Sequence, residues 1–122
     1  MEQVDFSYPS SQYTALSGIS LEILAGESIG IIGESGSGKT TLVDMILGLL
    51  EPQKGNIQYN GKEIKNVLEE WRSQVAYLPQ QVFLIDSTLR NNVALGINPD
   101  KIDEKKLQES LRQAKLTQLV GQ

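Results

Sequence analysis

Neither histidine nor cysteine occurs anywhere in the 122 residues. Without cysteine there is no disulfide framework and no thiolate metal site, which fits a reducing compartment. Without histidine, imidazole general bases and the commonest transition-metal ligand are excluded together. Basic charge is also scarce: 11 Lys and Arg against 15 Asp and Glu give a formal charge of −4. A nucleic-acid-binding domain needs a basic face, so no nucleic-acid partner is expected. Long apolar runs are missing too. Stretches such as Met45-Ile46-Leu47 are far too short to span a bilayer, and no signal-peptide pattern opens the chain. These absences point to a soluble, cytoplasm-facing domain, and the length allows one domain at most.

Residues 33–40, Gly33-Glu34-Ser35-Gly36-Ser37-Gly38-Lys39-Thr40, dominate what is present. They match the phosphate-binding P-loop (Walker A) pattern completely. Its glycines let the backbone coil around phosphates and turn its N–H groups inward. A helix that follows aims its positive N-terminal end at the same oxygens. Lys39 brings a point charge to the outer phosphates, and the Thr40 hydroxyl is a ligand for Mg²⁺. Glu34 has no such role, since its charge repels the ligand. The flanks suit the site. Ile29-Gly30-Ile31-Ile32 reads as a buried strand and Thr41-Leu42-Val43-Asp44-Met45-Ile46-Leu47 as a helix, so the order is strand, glycine loop, helix.

Elsewhere, Val4, Phe6 and Tyr8 alternate in a strand that Pro9 stops, and residues 19–24 alternate more strictly up to Ala25-Gly26. The helix after the P-loop is expected to run to about Leu50, with Pro52 and Gly55 beyond it. Asn60-Gly61 centres a hairpin over residues 56–63. A short helix is expected over residues 67–72, with Trp71 and Arg72 as structural residues. Val75-Ala76-Tyr77-Leu78 reads as a further buried strand before Pro79. From Asp103, a natural N-cap, Leu107, Leu111, Ala114, Leu116 and Leu119 recur at near-helical spacing, a core-facing stripe.

Together these segments resemble the nucleotide-binding domain of the ATP-binding cassette (ABC) family across essentially the whole chain. Phe6-Ser7-Tyr8-Pro9 is similar to the family's adenine-stacking loop, and residues 33–41 to its phosphate loop. The resemblance implies nucleotide contacts from Tyr8, Gly33, Ser35, Gly36, Ser37, Gly38, Lys39, Thr40 and Thr41. Residues 50–57 resemble the link into the antiparallel subdomain. Leu78-Pro79-Gln80 resembles the glutamine loop, which implies a catalytic role for Gln80 beside the attacking water and a metal role shared with Thr40. Residues 83–93 are similar to the exporter-type version, in which the helical subdomain meets coupling helices of the membrane domain. The implied fold is α/β, a P-loop NTPase cassette that is incomplete. It holds the antiparallel β subdomain, part of the parallel core sheet and the start of the helical subdomain.

The chain also departs from the family. It has no Leu-Ser-Gly-Gly-Gln signature, no apolar strand ending in Asp-Glu and no switch histidine, and it opens inside the family's first strand. Residues 1–122 are therefore expected to be the N-terminal part of an ABC ATP-binding domain, cut before the signature motif, Walker B and the switch histidine. The cost expected is a set of unpartnered edges around Ile29, Ile31 and Val75, and a tendency to pair with another chain.

The implied function is the ATP-binding part of a transporter ATPase that couples ATP binding and hydrolysis to export at the cytoplasmic face of a membrane. It would use ATP and Mg²⁺, with a second nucleotide-binding domain and a transmembrane domain as partners. The alternatives are a soluble ABC-type ATPase of translation or DNA repair, and a nucleotide-binding chain without hydrolysis. Val82-Phe83-Leu84-Ile85-Asp86 raises another, since it looks like a Walker B strand and would suit a self-contained kinase or GTPase. Against it, Ser87 follows where a cassette has its catalytic glutamate. Only Pro79-Gln80-Gln81 separates this segment from the strand expected at 75–78, too few residues for a parallel crossover.

Overall fold

The computed structural model describes residues 1–120, with side chains to Gln118. It divides into two compact units, Met1–Tyr77 and a second that begins at Leu78, where length alone predicts one domain. The break falls beside Pro79, which cannot donate to a continuing ladder.

In the first unit, β1 (Glu2–Phe6) is the centre of an antiparallel sheet of order β2-β1-β3, flanked by β2 (Leu16–Ile19) and β3 (Lys54–Asn56). Strand alternation turns Val4 and Phe6 to one face, where they are buried with Leu16, Met45 and Ile57. Helix α1 (Lys39–Ile46) contributes Met45 and Thr41 to the interior. The register pairs Phe6 with Leu16 and Val4 with Ile19 across a bulge. That register places β2 three residues ahead of the expected 19–24. Beyond Ile19 the pairing continues only through Met1 and Leu21, whose backbones exchange hydrogen bonds of 2.8 and 3.1 Å. Ile23 and Leu24 are left exposed.

The hairpin forms as its turn dipeptide predicts. β4 (Gln58–Tyr59) and β5 (Lys62–Glu63) are joined by Asn60 at φ +50° and Gly61 at φ +77°, the left-handed pair that a tight hairpin turn demands. Helix α2 (Leu68–Arg72) follows. Helix α1 ends at Ile46, short of the expected Leu50, because Gly48 turns left-handed at φ +68°. Helix α2 then satisfies carbonyls at that end. The Trp71 indole N–H donates to the Ile46 carbonyl at 2.9 Å, and the Arg72 guanidinium donates to that of Gly48 at 2.6 Å. Trp71→Phe, which leaves the Ile46 carbonyl without its donor, should cost about 1 kcal/mol. Urea unfolding followed by circular dichroism measures this, and an unchanged midpoint would show that the bond contributes nothing.

Two expected strands do not form. Residues 29–32 and 75–78 run without ladder partners, and Ile29, Ile31, Ile32, Tyr77 and Leu78 are exposed. All strand pairs among the described residues are antiparallel. The expected part of a parallel core sheet is thus absent from them. The reason is physical: a buried parallel strand draws its hydrogen bonds from neighbouring strands and its cover from helices on both faces. An apolar run four residues long provides neither by itself.

The second unit is helical, with α3 (Leu89–Val93), α4 (Glu104–Gln113) and α5 (Thr117–Val120). Asp103 caps α4 as expected, accepting from the backbone N–H groups of Lys105 and Lys106 at 3.0 and 3.2 Å. Leu107 and Leu111 are its buried stripe; the side chain of Leu119 lies outside the described residues. Residues 82–86 form no strand. Val82, Phe83, Leu84 and Asp86 are exposed, and the Asn92 side chain gathers the turn that follows. Its Oδ1 accepts from Ile85 N at 2.8 Å, and its Nδ2 donates to the carbonyls of Ile85 and Thr88 at 3.1 and 3.0 Å. The segment that resembled a Walker B strand is the approach to a helix.

Candidate nucleotide-binding site

The glycine loop coils because Gly36 and Gly38 take φ +81° and +89°, a conformation that is strained for any residue with a Cβ. Between them, Ser37 N–H donates to the Glu34 carbonyl at 3.2 Å and closes a turn. Gly38 has a second duty as the N-cap of α1. A Cβ at that position would stand 2.5 Å from the Ala15 carbonyl oxygen and 3.2 Å from Leu16 Cδ2, so the exit of the loop rests against the start of β2.

Helix α1 begins with no side-chain cap and no acidic residue in its first turn. Its first N–H groups and the positive end of its dipole are therefore left open toward the loop. Lys39 folds back over that loop, its Nζ donating to the carbonyls of Gly33 at 2.9 Å and Glu34 at 2.6 Å. The ammonium is thus held beside the backbone that coils around it. Ser35, Ser37 and Thr40 are exposed, whereas Thr41 turns inward.

Tyr8 lies just past β1 and stands edge-on to Phe6, with ring centroids 5.0 Å apart and planes at 82°. At 39% exposure it is not a core aromatic. Its hydroxyl lies 3.2 Å from Thr41 Oγ1. The residue before it is clamped as well: Gln53 accepts from Ser7 N–H at 3.0 Å and donates to the Ser7 carbonyl at 3.1 Å. The first unit therefore brings Tyr8 and the start of α1 together. Gln53 was not among the sequence candidates, and no local signal marks it, because its partner lies 46 residues away. Gln80 sits exposed at a bend in the second unit, as does Asp86.

The family model for the ABC transporter matches residues 16–122. The chain belongs to the ABC transporter family. An "ATP-dependent lipid A-core flippase" of Cupriavidus pinatubonensis is 38% identical to it over 121 residues, 98% of this chain and 20% of that protein. The "Glutathione/L-cysteine transport system ATP-binding/permease protein CydC" of Escherichia coli is 39% identical over 121 residues, 98% of this chain and 21% of that protein. The "ABC-type transmembrane transporter verA" of Clonostachys rogersoniana is 34% identical over 123 residues, 99% of this chain and 10% of that protein. This ABC transporter chain spans about a fifth or less of the length of these relatives. Among its described residues no helix is long and apolar enough to cross a membrane.

Proposed function

We propose that this ABC transporter chain binds magnesium–ATP as the nucleotide-holding part of an exporter ATPase. One observation carries the reading: the uncapped, acid-free first turn of α1 opens onto a loop coiled by Gly36 and Gly38, with the Lys39 ammonium held over it. Oriented N–H groups and one fixed cation are what a triphosphate selects. In this reading Gly33, Ser35, Gly36, Ser37 and Gly38 present backbone to the phosphates, Lys39 bridges the outer ones, and Tyr8 stacks on the adenine. Thr40, exposed in the first turn, would hold Mg²⁺, which when bound neutralises charge on the phosphate oxygens. Export is the favoured cargo direction because relatives of this chain carry flippase and transporter names. The partners are then a second nucleotide-binding domain and a transmembrane domain, with the chain at the cytoplasmic face.

Residues 1–122 should bind ATP without turning it over. Binding needs the loop, Lys39 and Thr40. Turnover also needs a group that takes a proton from water and a second charge clamp across the phosphates. Gln80 is neutral, and there is no histidine. Titration calorimetry should show saturable magnesium-dependent binding of ATP, while steady-state phosphate release stays at background. An absence of ATP binding would overturn the reading. Phosphate release that Lys39→Ala abolishes would show that the chain carries its own catalytic group.

A further inference from the structure

Asn60 and Gly61 form the tip of the β4–β5 hairpin, both exposed, at φ +50° and +77°. The sheet they close has strands of two residues each and, among the described residues, no third strand beside it, so it opens at little cost. Nothing among those residues lies within 4 Å of a Cβ built on Gly61. Asparagine before glycine is a reactive pair, because the uncrowded amide nitrogen can reach the side-chain carbonyl carbon and close a succinimide ring. The other asparagines of the chain are hindered. Asn56, Asn66 and Asn92 precede the β-branched Ile57, Val67 and Val93. Asn98 precedes Pro99, which has no N–H. Asn91 precedes an N–H that is tied to the Thr88 carbonyl at 3.0 Å.

We propose that Asn60 is a site of spontaneous deamidation and that the hairpin passes its consequence to Trp71. When the turn opens, water takes the Gly61 amide proton as that nitrogen attacks Asn60 Cγ. The new C–N bond closes the succinimide, and the side-chain nitrogen leaves as ammonia with a proton returned from water. Water then opens the ring at either carbonyl carbon, with no oxidation or reduction. Opening at Cγ leaves aspartate. Opening at the main-chain carbonyl leaves isoaspartate, whose backbone runs on through the side chain and is one methylene longer. Either product makes the formal charge of −4 one unit more negative, but their conformations differ. Asp-Gly suits the same tight turn as Asn-Gly. A lengthened backbone does not, and the Tyr59–Lys62 pairing beside it cannot keep its register. Tyr59 also packs on Trp71, with ring centroids 4.8 Å apart, and its hydroxyl donates to Gln74 Oε1 at 3.4 Å. Trp71 in turn caps the Ile46 carbonyl at the end of α1. Isoaspartate in the turn therefore loosens the ring that covers Trp71.

The test incubates the 122-residue chain and its Asn60→Gly and Asn60→Asp variants in mildly alkaline buffer. Peptide mapping by mass spectrometry follows each asparagine, with fragmentation that separates aspartate from isoaspartate. Fluorescence follows Trp71, the sole tryptophan. Loss of the unmodified Asn60 peptide should lead that of every other asparagine, with isoaspartate the main product. Trp71 emission should shift to the red in step with isoaspartate, as a half-buried indole loses its aromatic cover. Asn60→Asp, read before incubation, should emit as the parent does, which separates the added charge from the lengthened backbone. Asn60→Gly keeps a dipeptide that the turn accepts and has no side-chain amide to react, so its emission should stay constant. An Asn60 that reacts no faster than the other asparagines would overturn the assignment. Emission unchanged at full isoaspartate conversion, or an equal drift in Asn60→Gly, would overturn the transmission to Trp71. Should a variant fail to fold, the parent alone still decides, since its emission either follows its isoaspartate content or does not.

Discussion

Lys39→Ala lowers the affinity for magnesium–ATP by ten-fold or more. Its ammonium is, among the described residues, the one cation placed over the loop, held by the carbonyls of Gly33 and Glu34 at 2.9 and 2.6 Å. Those two carbonyls keep it in place while its third proton remains free for an anion. A charged hydrogen bond to phosphate contributes on the order of 1.5–3 kcal/mol, which is roughly a 10- to 150-fold change in Kd. The first turn of α1 contains no acid, and among the described residues Lys39 forms no ion pair that its removal would leave unpaired, so the loss reports the contact with the ligand. Calorimetry with ATP and with tripolyphosphate should show the same drop, because Lys39 acts on phosphate. Equal affinities for variant and parent would reduce the glycine loop to an ordinary turn.

The second large effect is on stability. Gly38→Ala should destabilise the first unit by about 2–4 kcal/mol, summing a left-handed conformation that alanine resists with a forced overlap. The overlap is with a backbone atom, the Ala15 carbonyl oxygen at 2.5 Å, which cannot rotate away as a side chain can. Gly36→Ala provides the internal control. Its φ of +81° is nearly the same, but nothing lies within 4 Å of the added carbon, so only the conformational part remains, about 1–2 kcal/mol. Thermal unfolding of the two variants should separate by several degrees, with Gly38→Ala the lower. Coincident midpoints would mean that the contact with β2 has no energetic weight.

Local signals were the legible ones. Asn60-Gly61 names its turn because two adjacent positive φ values suit few other dipeptides. Asp103 names the start of α4 because its carboxylate reaches N–H groups two and three residues on. The phosphate loop is legible for the same reason, being one uninterrupted stretch. What depended on distant chain was misread. Residues 29–32 and 75–78 have strand composition, but a strand exists only where another strand meets it. β2 is offset because pairing with β1, rather than its own alternation, decides which residues form the ladder. The end of α1 has a different reason: Gly48, at φ +68°, turns the chain out of the helix four residues before Pro52. At the site, Tyr8 was found through its family likeness. The bonds that hold it, to Thr41 and from Gln53 to Ser7, span 33 and 46 residues and leave no trace in any local pattern.

The glycine loop is secured at one end only. Its exit is wedged against Ala15 through Gly38, whereas residues 28–32, which lead into it, take part in no backbone hydrogen bond among the described residues. Segments with exposed, unpaired backbone occupy the low end of local opening free energies. The competent shape of the loop is then one member of an ensemble, and apparent affinity is the intrinsic affinity scaled by the fraction of molecules that hold it. A loop ordered one time in ten binds ATP ten-fold more weakly than the same contacts made by a rigid loop, although not one ligand-facing residue differs. Any neighbour that gives residues 28–32 a ladder partner would therefore act as an activator of nucleotide binding without touching the nucleotide.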